Sequence, residues 1–232
     1  MMQIRRSAER GYFDFGWLKT FHTFSFGEYY DPQFMGFRHL RVINQDTIDE
    51  SSGFPMHGHK DMEIITYVYK GTIEHKDSLG NIGQIKHGEI QRMSAGSGIR
   101  HSEYNPSATE KTELLQIWIE PEKLKIAPDY EQVNLIEKFK DEELVLIASP
   151  SKENGSAKIN QDVKVFAFNS KSSKIVHLPL ALHRHGWIQL ISGEIKFENE
   201  VLTAGDAIAL KDVTDPSIEI LNPAHFIFFD LK

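Results

Sequence analysis

The 232-residue sequence contains no cysteine. Disulfides, thiolate nucleophiles, iron–sulfur clusters and cysteine zinc sites are therefore excluded, and any metal must be held by His, Asp or Glu. No run approaches the ~18 apolar residues of a membrane-spanning helix, so no membrane association is expected. The opening "MMQIRRSAERGYFDFGW" is charged and has no apolar centre, so it does not read as a signal peptide and the expected location is cytoplasmic. A basic stripe is also missing. The net charge is −7, spread over both halves, which disfavours direct nucleic-acid binding. Helical periodicity is scarce throughout.

What the chain does have is turns and short alternating runs, in a soluble composition of 40% hydrophobic and 25% charged residues. "RHLRVINQDTI" (38–48), "MEIITYVYKGTIEHKDSLGN" (62–81), "QIKHGEIQRMSAGSGIRHSEY" (84–104) and "ELLQIWIEP" (113–121) each read as strands broken by glycine or proline turns. After a break, "VKVFAFNS", "KIVHLPL", "GWIQLISGEIKFENEVLTAGDAIAL" and "SIEILNPAHFIFFDL" resume the pattern. This spacing predicts an all-β fold of antiparallel sandwiches or barrels. The break itself, 127–144, has helix-like spacing at Val133, Ile136 and Phe139, and reads equally as a solvated connector. Residues 149–160 read as a loop. "HGHKDMEIITYVYKGTIEH" rhymes in order with "HRHGWIQLISGEIKF", and "HGEIQRMSAG" with "AGDAIAL", which predicts a duplicated β unit. The expected division is 1–132 and 133–232.

Seven of the 11 histidines lie in the first 120 residues. On a strand, residues i and i+2 share a face. His57 and His59 therefore aim together, and His101 and Glu103 in "IRHSEYNP" form a second such pair. Two pairs on neighbouring strands bring three imidazoles and a carboxylate together, a donor set suited to a divalent transition ion with positions left open for substrate or O2. Gly96 and Gly98 supply a sharp bend just before His101. Asp61 and Glu63 share the parity of the first pair and read equally as carboxylates that orient its imidazoles or as plain turn residues. His22, in the aromatic "GWLKTFHTFSFGEYYDP", is a candidate pocket residue in a segment that otherwise reads as core and wall. His75 and His87 flank turns and are expected at the surface. His183 and His185 repeat the His-x-His spacing without a second pair, so no metal is expected there.

"AERGYFDFGWLKTFHTFSFGEYYDP", "RVIN", "GFPMHGHKDMEIITYVYKGTIEHKDSLGN", "MSAGSGIRHSEYNP", "LLQIWIEP" and the terminal "FFDL" together resemble the pirin family of the cupin superfamily, and within it the bacterial pirin-like quercetinases. The likeness is dense over residues 5–121 and patchy beyond. It implies a bicupin: two facing antiparallel β-barrels of double-stranded β-helix type joined by a short connector, with metal in the N-terminal barrel and usually none in the C-terminal one. It implies that the ligands fall on His57, His59, His101 and Glu103. A generic cupin would instead use the glutamate after His-x-His, here Glu63. The ion it implies is commonly Fe2+, while Ni, Cu, Co and Zn suit the same donors. The implied activity is quercetin 2,3-dioxygenase: O2 opens the central ring of a flavonol and carbon monoxide is released, with Glu103 as ligand or base for the 3-hydroxyl proton. The partners implied are a small aromatic substrate and O2. Two rival expectations are a metal-dependent regulator that senses redox state and binds a protein partner, and a cupin enzyme acting on another small molecule.

Overall fold

The computed structural model describes residues 2–232, with only the backbone at 140 and 141. It is almost entirely β, as the short alternating runs require, and it divides into two compact units. One comprises residues 11–135 and 157–161; the other comprises 2–10, 136–156 and 162–232. The units are thus not the contiguous stretches 1–132 and 133–232. Met2–Arg5 pairs antiparallel with Ala207–Leu210, so the first residues belong with the C-terminal unit.

The first unit holds two antiparallel sheets. The larger has seven strands in the order Asp129–Asn134, Glu89–Ser94, Glu63–Lys70, Thr112–Ile119, Leu40–Ile48, Leu18–His22, Gly11–Asp14. The smaller has four, in the order Gly53–His59, Ile99–Tyr104, Thr72–Asp77, Ile82–Lys86. Ile73 and Ile85 of the small sheet are fully buried in one cluster with Val68 and Leu114 of the large one. Alternation of apolar residues along each strand builds this core. The expected barrel is realised as opposed sheets whose ladders do not close, the jelly-roll form of a cupin.

In the second unit the sheet runs Met2–Arg5, Ala207–Leu210, His185–Phe197, Ser217–Leu231, Val163–Asn169, Val145–Ser149. Its core is made by Phe168, Ile188, Leu190, Phe226 and Phe228. The internal rhyme has a structural counterpart here. Gly71 follows Glu63–Lys70, and Gly193 sits within His185–Phe197; both are left-handed, at φ 76° and 87°. A Cβ on Gly71 would lie 2.7 Å from the Lys111 carbonyl oxygen, and one on Gly193 would lie 2.1 Å from that of Pro223. The shared glycine is therefore a shared chain corner, and only a residue without a Cβ fits it.

The helix-like segment is not an α-helix. Asp129–Asn134 is a strand beside Glu89–Ser94, and only Ile136–Asp141 turns, as a 3-10 helix. Arg92 decides this. Its side chain is 1% exposed and donates to Asp129 Oδ2 at 2.7 Å and Glu131 Oε2 at 3.2 Å. A buried cation needs paired charges, and the strand supplies two from one face. No helix among the described residues is long and apolar enough to cross a membrane.

Candidate metal centre

Gly53–His59 and Ile99–Tyr104 are antiparallel neighbours, with His57 directly opposite His101. Their ring centroids are 4.4 Å apart. His59, two residues from His57 on the same face, brings its ring to 4.8 Å from that of His101. One ring nitrogen from each of His57, His59 and His101 lies within 4.8 Å of the others, the one such His/Asp/Glu group among the described residues. The Nε2 atoms of His59 and His101 are 2.9 Å apart. Two donors at about 2.1 Å from one ion, at right angles, stand about 3 Å apart, so this spacing fits a shared cation. Gly96 and Gly98, at φ 46° and 139°, make the bend before His101.

The hydrogen bonds around the rings fix their tautomers. His57 Nδ1 is 2.8 Å from the Pro55 carbonyl oxygen, which can only accept, so Nδ1 carries the proton and Nε2 keeps its lone pair. His101 Nδ1 is 3.3 Å from His75 Nδ1, and His75 Nε2 is 3.1 Å from Asp77 Oδ2. Asp77 accepts from His75 Nε2–H, His75 Nδ1 then accepts from His101 Nδ1–H, and His101 Nε2 is left with its lone pair. Asp77 is itself held by Leu79 N–H and by the backbone and side chain of Asn81. Burial opposes its charge, but these bonds, led by that of the Asn81 side chain, hold its carboxyl below the usual range. Burial lowers His59 to about 4 and His101 to about 3, and the neighbouring imidazoles add to both shifts. Both rings are neutral at pH 7, the state a metal needs.

Glu103 is buried and lines the same cavity, outside the converging group of three nitrogens. Its Oε1 accepts from Thr66 Oγ1 at 3.0 Å, and Gln116 Nε2 donates to Oε1 and Oε2 at 2.8 and 2.7 Å. Those donors belong to a polar rung across the large sheet. His22, Asn44, Gln116, Thr66 and Gln91 face one another in successive strands, all buried. Asp46 lies two residues from Asn44 on the same face. Burial pushes its carboxyl up to about 7, with Thr20 opposing the rise and Glu103 adding to it. The cavity has a volume of about 490 Å³, and Phe26, Phe54 and Trp118 form its apolar walls. That is within the range of small-molecule sites, roughly 300–1,000 Å³.

Several expectations need correction. Glu63 is buried, but it accepts from Ser94 Oγ and from the backbone and side chain of Asn160, so it anchors residues 157–161 rather than an imidazole. Asp61, at φ 50°, accepts from Lys125 N–H at 2.6 Å and ties down a loop. His22, as expected, lines a pocket, but that pocket is the chamber next to the histidines, where it packs between Phe13 and Phe26. His75 is buried, not at the surface, and stacks on Tyr130 with centroids 4.8 Å apart. Its parity with buried Ile73 was the available signal. His87 lies at the surface, as expected. His183 is exposed at φ 64°, and between it and His185 Arg184 pairs with Asp162 and Asp230.

Comparison with known proteins agrees with this geometry. The family model described as Pirin matches residues 2–119, and that of the quercetinase C-terminal cupin domain matches 146–231. An Escherichia coli K12 protein named quercetin 2,3-dioxygenase is 46% identical over 232 residues, covering 100% of this chain and 99% of its own. The crystal structure of YhhW from Escherichia coli superposes with a TM-score of 0.95 at 44% identity, over 100% of this chain and 98% of that one. The structure of bacterial pirin YhhW in complex with nickel(II) gives 0.94 at 44% identity, over 100% and 99%. Matched in both halves and over its whole length, the chain belongs to the pirin family.

Proposed function

We propose that this protein is a metal-dependent dioxygenase that opens the central ring of a flavonol such as quercetin with O2 and releases carbon monoxide. One observation carries the reading: three imidazoles converge beside a restrained carboxylate in an aromatic-walled cavity large enough for such a substrate. The relatives' names and the nickel(II) complex of YhhW support it.

His57, His59 and His101 would hold the ion, with Glu103 as the fourth ligand. Fe2+ is the ion we favour, and nickel suits the same donors. A divalent ion held there would supply Lewis-acid chemistry to an oxygen ligand of the substrate. The chain's residues do the rest. Glu103 takes the proton of the substrate's 3-hydroxyl at a carboxylate oxygen. Thr66 and Gln116 keep that carboxylate from swinging away. Trp118, Phe26 and Phe54 clamp a flat ring and exclude water. The reaction takes place inside the cell, without a membrane or nucleic acid.

Metal analysis of the purified protein joined to an aerobic quercetin-depletion assay with carbon monoxide detection tests this. Stoichiometric carbon monoxide that disappears on chelation and returns with metal is expected. Metal-loaded protein that leaves quercetin and O2 unchanged would sink the reading and favour a regulatory protein.

A further inference from the structure

The cavity beside the histidines does not end at its aromatic wall. A second chamber of about 250 Å³ adjoins it, and Phe26, Asn44, Asp46 and Phe54 line both. The far wall of this chamber combines Phe13, Phe15 and Leu18 with Thr20, His22 and Glu28, and Asn44 and Asp46 are the polar residues at the junction.

Asn44 and Asp46 stand two apart on Leu40–Ile48, so they present one face. They are only 6% and 2% exposed. Asn44 Oδ1 and Asp46 Oδ1 are buried and make no hydrogen bond of normal geometry, although the Thr20 hydroxyl faces Asp46 across the ladder and lowers its pKa. Gln116 Oε1, across the ladder from Asn44, is in the same condition and lines the first cavity. A purely structural polar rung would pair its members, because a buried acceptor with no donor costs stability. Thr66 and the Gln116 amide nitrogen do have such a job, since they hold Glu103. These three oxygens do not. Asn44 Oδ1 and Gln116 Oε1 can only accept, and Asp46, whose carboxyl burial raises to about 7, accepts when ionised, so the group suits a ligand that brings O–H or N–H donors. The two chambers, with aromatic side chains at their junction, call for two linked flat rings.

We propose that the second chamber is the subsite for the pendant ring of the substrate, and that Asp46 and Asn44 select a ring bearing hydroxyl groups by accepting their hydrogen bonds. This rests on the flavonol reading above and names the part of the molecule that the histidine cavity does not hold. A site built to bond a hydroxyl discriminates strongly against the analogue that lacks it, because its own polar atoms are then left unpaired.

The test is anaerobic titration of metal-loaded protein, by calorimetry, with quercetin, which carries two hydroxyls on its pendant ring, and with galangin, which carries none there. Wild type should prefer quercetin by about tenfold or more. Asp46→Ala should lose about tenfold in quercetin affinity and less than about twofold in galangin affinity, the size of one lost hydrogen bond. Asp46→Asn, which keeps an acceptor oxygen and nearly the same shape, should retain most of the preference. Equal affinity of wild type for the two flavonols overturns the subsite whether or not the variants fold, and so does an equal loss for both in Asp46→Ala. Preference for quercetin without aerobic cleavage would defeat the dioxygenase reading and leave the subsite standing. Cleavage with no preference would do the reverse, and failure to bind either flavonol defeats both.

Discussion

His59 and His101 direct their Nε2 atoms at each other across 2.9 Å, from strands that are hydrogen-bonded neighbours. Burial makes charge on either ring costly, and neighbouring imidazoles add to this, His101 and His57 at His59, His57 and His75 at His101. Their pKa values accordingly fall, to about 4 and about 3. Protons therefore compete weakly with a metal for these two donors. Metal content should hold on acidification from pH 7 to about pH 5 and fall below that, rather than dropping near 6.5 as at exposed imidazoles. Equilibrium dialysis at stepped pH, followed by metal analysis, checks this. Loss of most of the metal at pH 6 would contradict it.

The Asp77–His75–His101 chain predicts an effect from a residue that touches no metal. His75→Phe keeps a flat ring against Tyr130 and removes the acceptor that holds the His101 Nδ1 proton. Metal affinity should fall by about 10–100-fold, the usual effect of removing a group that orients a ligand. Competition with a chromogenic chelator measures it, with the thermal midpoint as a check on the fold. Unchanged affinity in a folded variant would show that His101 needs no such support.

The histidine group was legible because strand geometry has a period of two, so His57, His59, His101 and Glu103 could be paired before any register was known. Asn44, Asp46, Thr66 and Gln116 were not, because each looks like an ordinary polar strand residue until the ladder sets them side by side. His75 was misjudged for a related reason. The tight turn after it suggested the surface, while the ring that covers it, Tyr130, lies in a segment whose spacing suggested a helix. That segment is a strand because of Arg92, a partner about forty residues away. Local pattern shows which residues share a face. It does not show what a distant strand places against that face.

Glu103 separates an enzyme from a binding module. Glu103→Gln keeps shape and an oxygen that can coordinate, but removes the charge and the base. Three histidines remain, so metal should be partly retained. Flavonol cleavage should fall by roughly 10²–10⁴, the usual size of a general-base contribution. Steady-state rates normalised to bound metal decide the matter. Wild-type rates per metal in this variant would remove Glu103 from the proton transfer and leave the fold assignment unaffected.

Asp46 should leave a signature on the stability of the metal-free protein. Its carboxyl rises from 3.8 to about 7 on folding, mainly through burial. Between those values the folded state holds a proton that the unfolded state has lost. Stability from this group is therefore fully present below about pH 4 and is lost as pH rises to about 7, by on the order of 3–4 kcal/mol. His59 and His101 act in the opposite sense. Their neutral folded forms cost stability as pH falls below 6.5, because the unfolded chain then takes up protons. The raw pH profile mixes the two, so the difference between wild type and Asp46→Asn isolates the carboxyl. Asn has no proton to lose. The stability of Asp46→Asn relative to wild type should therefore increase between pH 5 and pH 7.5. Urea unfolding of both chelated proteins at those two pH values measures it. A difference that stays constant would mean that Asp46 ionises as readily inside the sheet as in water.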